Sequence, residues 1–277
     1  MHVHLALAAA AVLLAAPPAQ AAIIVYSGTF VPEGGGGRTG TGTLLLQYDN
    51  VGHTLAIDAT FSGLSGTTNN AHIHCCTATP GAGAAGVALA TGGILPGFPL
   101  GVQSGAYLQT IDLTLTTNYS AAFVTASGGT AAGAELALIN GLTAQTAYFN
   151  IHSTTFGGGE IRTFVTVVPA DTDGDSIGDP NDNCTVVSNA NQLDADGDGY
   201  GNICDADVNN SGTVTTADFG LLRSVLGQPA SFSPVAAAAD MNGSGTVTTA
   251  DFGLLRARLG TPPGPSGLSC AGTIPCP

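Results

Sequence analysis

The chain has no tryptophan and no lysine, and among its 277 residues five arginines (Arg38, Arg162, Arg223, Arg256 and Arg258) face nineteen acidic side chains. With a formal charge of −14, no basic patch can be assembled to grip a phosphate backbone, which excludes nucleic acid as a partner. Charged residues of either sign are scarce, 9% against 44% hydrophobic, so the chain is no disordered polyelectrolyte. Beyond the first 21 residues no run is long and apolar enough to span a bilayer, which argues against a helical membrane bundle.

Residues 1–21 carry no charged side chain. An apolar run from Leu5 to Ala16 is followed by Pro17, Pro18 and the small-x-small triplet Ala19, Gln20, Ala21. This is the pattern of a cleaved secretory signal, and it predicts a secreted protein, extracellular or at the cell surface, with the periplasm as an alternative. No cysteine follows the cleavage point to accept a lipid.

Charge is unevenly placed. Glu33, Asp49, Asp58, Asp112, Glu135 and Glu160 are the only acids before position 171, whereas thirteen aspartates crowd the stretch 171–260. A segment so acidic and so poor in aromatics repels itself unless cations neutralise it. The expected division is a signal at 1–21, an apolar domain at 22–169, an acidic spacer at 170–205, a duplicated module at 206–260 and a Pro/Gly-rich tail at 261–277.

In the apolar domain, Leu55, Ile57, Ala59 and Phe61 alternate with polar residues, the period of a half-buried strand. Comparable runs at 22–26, 41–48, 71–76, 107–115, 121–126, 147–152 and 160–168, separated by Gly, Asn, Ser and Pro, predict a mainly β fold, a β-sandwich. One helix is expected at 130–142, with Leu136 and Leu138 packing inward. The glycine-rich run 33–42 lacks the Lys-Ser/Thr ending of a phosphate loop and reads as a strand connection.

His72 and His74, two apart on a strand, project from one face, and His152 occupies the polar face of another strand. If those strands are neighbours, His72, His74, His152 and Glu160 converge. Such a cluster suits zinc or copper, with the carboxylate orienting a ligand; the alternative is a hydrogen-bonded polar ladder tied to Glu160 and Arg162. The motifs Ala71-His-Ile-His74, Ala147-Tyr-Phe-Asn-Ile-His152 and Gly158-Gly-Glu-Ile-Arg162 resemble the signature of the CHRD (chordin-type) domain, in the family's order. The resemblance implies an extracellular immunoglobulin-like or superoxide-dismutase-like β-sandwich of undefined ligand.

In the spacer, Asp171, Asp173, Asp175, Asp179 and Asp182 are followed by a second series, Asp194, Asp196, Asp198, Asn202 and Asp205. Hard oxygen ligands at two-residue spacing, with glycine between them, are what Ca²⁺ requires. The pattern resembles the thrombospondin type 3 repeat, an irregular calcium-wrapped spacer, and the resemblance implies a Cys184–Cys204 disulfide. Ser176 stands where that family commonly has Gly.

Residues 211–223 and 244–256 are the same thirteen residues, SGTVTTADFGLLR, an internal duplication. Each copy holds a twelve-residue loop of EF-hand type. Oxygen side chains fall at positions 1, 3, 5, 9 and 12: Asp207, Asn209, Ser211, Thr215 and Asp218, then Asp240, Asn242, Ser244, Thr248 and Asp251. Gly212 and Gly245 take the turn and Val214 and Val247 point inward. Following helices are expected to bury Phe219, Leu222 and Leu226, and Phe252, Leu255 and Leu259. The pair resembles a type I dockerin, an α-helical EF-hand-like module that binds a cohesin-type partner. The resemblance places partner contacts at Thr216, Ala217 and Arg223 and at Thr249, Ala250 and Arg256.

Cys270 and Cys276 can close the tail. Adjacent Cys75 and Cys76 either form a vicinal bond or remain thiols beside the histidines. Three functional readings follow. One is a secreted, calcium-binding, non-catalytic binding or structural protein with a docking module; the second is a copper/zinc metalloprotein of superoxide-dismutase-like type. The third is an accessory subunit of a polysaccharide-degrading complex. With only six acids in the first domain, no acid/base carboxylate pair for hydrolysis is evident.

Overall fold

A computed structural model describes residues 23–90 and 92–276, so the expected signal segment lies outside the described residues. The chain divides into two compact units on either side of the Val167–Val168 bond.

The first unit is mainly β. Its strands are β1 (Ile23–Pro32), β2 (Thr41–Asp49), β3 (Thr54–Ser62), β4 (Thr68–His74), β5 (Val87–Leu89), β6 (Gly105–Asp112), β7 (Tyr148–Ser153), β8 (Ile161–Phe164) and β9 (Thr166–Val168). They form a curled antiparallel sheet in the order β5-β4-β7-β8-β1-β2-β3-β6, with β9 pairing β1 outside that path. Strand β1 is shared: it pairs with β2 from Ile23 to Phe30 and with β8 at Val31 and Pro32. The two halves turn their inner faces onto one core, where Phe30 meets Phe149 edge-on at 5.5 Å. The alternation read for β3 holds: Leu55, Ile57, Ala59 and Phe61 are buried, and Ile57 lies opposite Leu46 and Ala59 opposite Leu44. Each fully buried Leu, Ile or Phe among them contributes roughly 1.5–3 kcal/mol.

Several expectations are corrected. Residues 121–126 form a helix, α1 (Ala121–Ala126), not a strand. Ser120 caps it by accepting from the Phe123 N–H, and a six-residue apolar run cannot by itself distinguish the two conformations. Strand β5, three residues long, is too short to show a period. The expected helix is present as α2 (Ala131–Thr143), N-capped by Thr130, but Leu136 is 63% exposed. At 100° per residue the buried stripe runs through Ala134, Glu135, Leu138, Ile139 and Leu142, opposite Leu136. Glu135 is tolerated inside because its Oε1 accepts from the Tyr48 hydroxyl at 2.7 Å and its carboxylate meets His53 Nδ1 at 2.9 Å.

The second unit opens with irregular chain wound on aspartates, which carries no strand or α-helix. Helices α3 (Thr216–Ser224), α4 (Pro234–Ala239) and α5 (Thr249–Ala257) follow. Helix α4 was not anticipated; Ser233 caps it, and its alanines pack into a small core with Val214, Leu222, Val225, Met241, Val247 and Leu255. The tail is irregular in conformation but bound to the acidic chain. Gly264, Gly267, Gly272 and Cys276 donate backbone hydrogen bonds to Cys204, Asp182, Asp198 and Gly197. All six cysteines are paired, Cys75 with Cys76, Cys184 with Cys204 and Cys270 with Cys276. No helix among the described residues is long and apolar enough to cross a membrane.

Candidate functional site

The duplication builds two loops with one geometry. In the first, Asp207 accepts from the Ser211 and Gly212 N–H groups, and Asp218 accepts from Asn209 at 3.2 Å and Thr215 at 2.7 Å. In the second, Asp240 accepts from Ser244 at 3.0 Å and Gly245 at 2.7 Å, and Asp251 from Asn242 at 3.1 Å and Thr248 at 2.8 Å. Gly212 and Gly245 sit at φ 87° and 89°, the left-handed turn expected at position 6. Thr215 and Thr248 are N-caps whose reciprocal partners at N3 are Asp218 and Asp251, so the last loop residue also starts the helix. These two carboxylates are wholly buried, and Asp207 and Asp240 nearly so.

Neither copy is complete alone. Val214 exchanges backbone hydrogen bonds with Gly260 and Thr261, which follow α5, and Val247 exchanges the equivalent pair with Gly227 and Gln228, which follow α3. Helices α3 and α5 then lie side by side with Phe219 and Phe252 in ring contact at 5.1 Å. Two matching grooves of about 190 and 230 Å³ flank that contact. One is lined by Thr216, Leu255, Arg256 and Leu259, the other by Thr249, Leu222, Arg223 and Leu226, and both share the two phenylalanines. Leu222 and Leu255 are buried as expected, whereas Leu226 and Leu259 are 45% and 52% exposed on the groove rims. Val225 takes the inward place instead of Leu226. Ala217 and Ala250 are exposed on the first turns of α3 and α5.

The spacer also contains a copy of itself, at an offset of 23 residues that the aspartate spacing only hinted at. Asp171 accepts from Gly174 and Ser176, and Asp194 from Gly197 and Gly199. Asp179 accepts from Thr172 and Asn202 from Ala195, both at 2.8 Å; Asp182 accepts from Cys184 and Asp205 from Asp207, again both at 2.8 Å. Oxygens of Asp171, Asp173 and Asp175 converge within 4.8 Å, as do those of Asp194, Asp196 and Asp198. Asp173, Asp182 and Asp196 each keep a buried carboxylate oxygen that has no hydrogen-bond partner. Burial, then the charge of Asp198, pushes Asp196 up to about 6. Burial, resisted by the Asp207 N–H and reinforced by Asp198, Asp196 and Asp207, pushes Asp205 up to about 7. Carboxylates this crowded, with orphaned oxygens turned inward and hardly any cationic side chains near, fit a hard divalent cation.

In the first unit, β4 and β7 are neighbours, with His72 opposite Asn150, His74 opposite Tyr148 and Asn70 opposite His152. The three imidazoles share the outer face, and one ligand nitrogen of each lies within 4.8 Å of the others. His152 Nε2 is 3.2 Å from His72 Nδ1. Burial, then the neighbouring His152 and His74, pushes His72 down to about 4. Glu160 is not brought to this cluster. Its side chain turns inward, where its Oε1 accepts from the Ser65 N–H and hydroxyl. Burial acts to raise it, but hydrogen bonds from Ser153, Ser65 and Gly66 outweigh that and hold it below the usual carboxylate range. Arg162 is likewise not joined to the histidines: it donates to Gly83 O at 2.7 Å, pairs with Glu33 at 3.4 Å and covers the Tyr148 ring. Glu33 and Asn150, whose side chains are hydrogen bonded, occupy the space a β-carbon at Gly159 would need, so the second glycine of the Gly-Gly-Glu-Ile-Arg run keeps the motif closed.

Those three motifs fall within residues 24–165, over which the chain matches the family model of the CHRD domain. The chain belongs to the CHRD family. Residues 205–260 match the dockerin type I domain, so this CHRD protein carries a dockerin on the unit that follows. No curated protein and no solved structure matches the chain. Together the two domains support a non-catalytic extracellular assembly or binding role. Type I dockerins bind calcium, which agrees with the loops above; the comparisons do not speak for copper or zinc at the histidines.

Proposed function

We propose that this protein is a secreted, calcium-stabilised carrier of a CHRD domain, attached to a cohesin-type partner through its dockerin. The observation that carries the reading is the repeated face made by α3 and α5. It is apolar at Phe219 and Phe252, bordered by Thr216, Arg256, Arg223 and Thr249, and rests on two loops rich in calcium-type ligands. The ligands are Asp207, Asn209, Ser211, Thr215 and Asp218 in one loop and Asp240, Asn242, Ser244, Thr248 and Asp251 in the other. Filling them neutralises buried carboxylates and locks the N-termini of α3 and α5, so cation binding and display of the face are one event. The spacer, of thrombospondin type 3 character, uses Asp171, Asp173, Asp175, Asp179 and Asp182 and their counterparts Asp194, Asp196, Asp198, Asn202 and Asp205 in the same way. The Cys184–Cys204 bond holds its two copies together.

Isothermal titration of the full chain against a panel of recombinant cohesin domains tests this. Binding is expected in calcium and absent in EDTA. Because the face is repeated, charge substitutions at Thr216 and Ala217 alone are expected to weaken binding less than the same changes made together with Thr249 and Ala250. Binding that survives the fourfold variant, or no binding across the panel, would remove the docking role.

A further inference from the structure

We propose that His72, His74 and His152 form a binding site for one late first-row divalent transition metal ion, on the outer face of the CHRD domain and independent of the calcium sites. The argument starts from where each ring proton must be. His74 Nδ1 lies 2.9 Å from the Ala85 carbonyl oxygen, which can only accept, so the proton sits on Nδ1 and Nε2 presents a lone pair. That Nε2 is buried and has no hydrogen-bond partner. His152 Nδ1 lies 2.8 Å from the Gly157 carbonyl oxygen, so its Nε2 is also a lone pair, and it points at His72.

His72 Nδ1 faces the His152 Nε2 lone pair at 3.2 Å, so without an ion its proton sits between the two rings. That bond satisfies two rings and leaves His74 Nε2 without a partner; with the His72 proton on its other nitrogen, one nitrogen of each ring, within 4.8 Å of the others, presents a lone pair, and a cation satisfies all three. His74 and His152 follow the pattern of metal-binding histidines, each anchored through its other nitrogen to a backbone carbonyl that fixes its tautomer.

The distances agree with such an ion. Tetrahedral coordination with metal–nitrogen bonds of about 2.0–2.1 Å places ligand nitrogens about 3.3 Å apart. The His72–His152 pair is already at 3.2 Å, and the third nitrogen lies within the 4.8 Å spread of the set. His74 is held flat against Tyr148, with ring centroids 4.8 Å apart and planes 3° from parallel, so its direction is set by packing. An all-imidazole set selects zinc, copper, nickel or cobalt and offers nothing to Ca²⁺, which takes oxygen. His72 is buried while His74 and His152 are partly exposed, which leaves the remaining coordination position on the solvent side.

The experiment uses the untagged full chain, stripped with EDTA, desalted and held in excess calcium so that the aspartate sites are filled. Cobalt(II) is then titrated. One equivalent is expected to give the visible absorption of a four-coordinate nitrogen-rich site and to be displaced by one equivalent of zinc. Imidazole nitrogen resonances of His72, His74 and His152 are expected to shift with it while His53 does not, a readout that needs no variant. His74→Gln and His152→Gln are each expected to abolish the signal. No uptake in calcium-saturated protein, uptake with the three resonances unmoved, or uptake unchanged in the double variant would each overturn the site.

Discussion

Ser176 carries a side chain at φ 77°, in the left-handed region where its counterpart in the other copy of the spacer is Gly199 at φ 88°. Both residues donate their N–H to the first aspartate of their loop, at 3.0 and 2.9 Å, so the turn is the same and only the β-carbon differs. An L-residue in that region costs about 1–2 kcal/mol, and the added chain entropy of glycine returns about half of this. Ser176→Gly is therefore expected to stabilise the loop by about 0.5–1 kcal/mol. Calorimetry should find calcium binding at that loop tightened about two- to fivefold by such a gain; weaker binding would show that Ser176 is not under strain. The position was visible in the sequence as a departure from the glycine common there. Its conformation was not, because a backbone angle is set by the hydrogen bonds around it.

At the scale of elements, α2 shows how a short helix is recognised more easily than it is oriented. Its span could be read from Thr130 and the small residues after it, but its buried stripe runs through Glu135 and Gly141 rather than Leu136. Glu135 is inside because Tyr48 of β2 and His53 of the turn before β3 come from a distant stretch of chain to meet it, and nothing within thirteen residues announces that. Gly141 is inside because the Cys75–Cys76 pair rests on it: a β-carbon there would lie 2.8 Å or less from both sulfurs. Gly141→Ala is thus a test of the packing of α2 against the end of β4. Alanine favours the helix by about 1 kcal/mol but forces apart two fixed elements, an overpacking cost of about 1–3 kcal/mol. A lower melting temperature of the first unit is expected, and an unchanged or higher one would mean that α2 is free to shift. The histidine cluster belongs to this scale too. Period two placed His72 and His74 on one face, and only the β4–β7 pairing added His152 and left out Glu160.

For the molecule as a whole, the charge map separates two kinds of stability. The first unit rests on a hydrocarbon core with few ionic groups, the second on thirteen aspartates whose small core includes only nine buried residues. Removing calcium is expected to melt or loosen residues 168–277, with loss of the helical signal of α3 and α5, and to leave the β-sheet signal and the melting of the first unit unchanged. Scanning calorimetry with and without EDTA checks this, and two transitions that move together, or neither moving, would contradict it. Composition, alternation and the exact repeat were enough to determine a mainly β domain, an acidic half and a duplicated loop-helix pair, because each is written in residues close together in the chain. Tertiary structure alone decided the curl of the sheet through β1, the exchange of hydrogen bonds between Val214 and Val247 and the opposite copies, and the meeting of three imidazoles. Those features join residues tens of positions apart, where no local period or propensity operates and only the packing of whole elements chooses the partner.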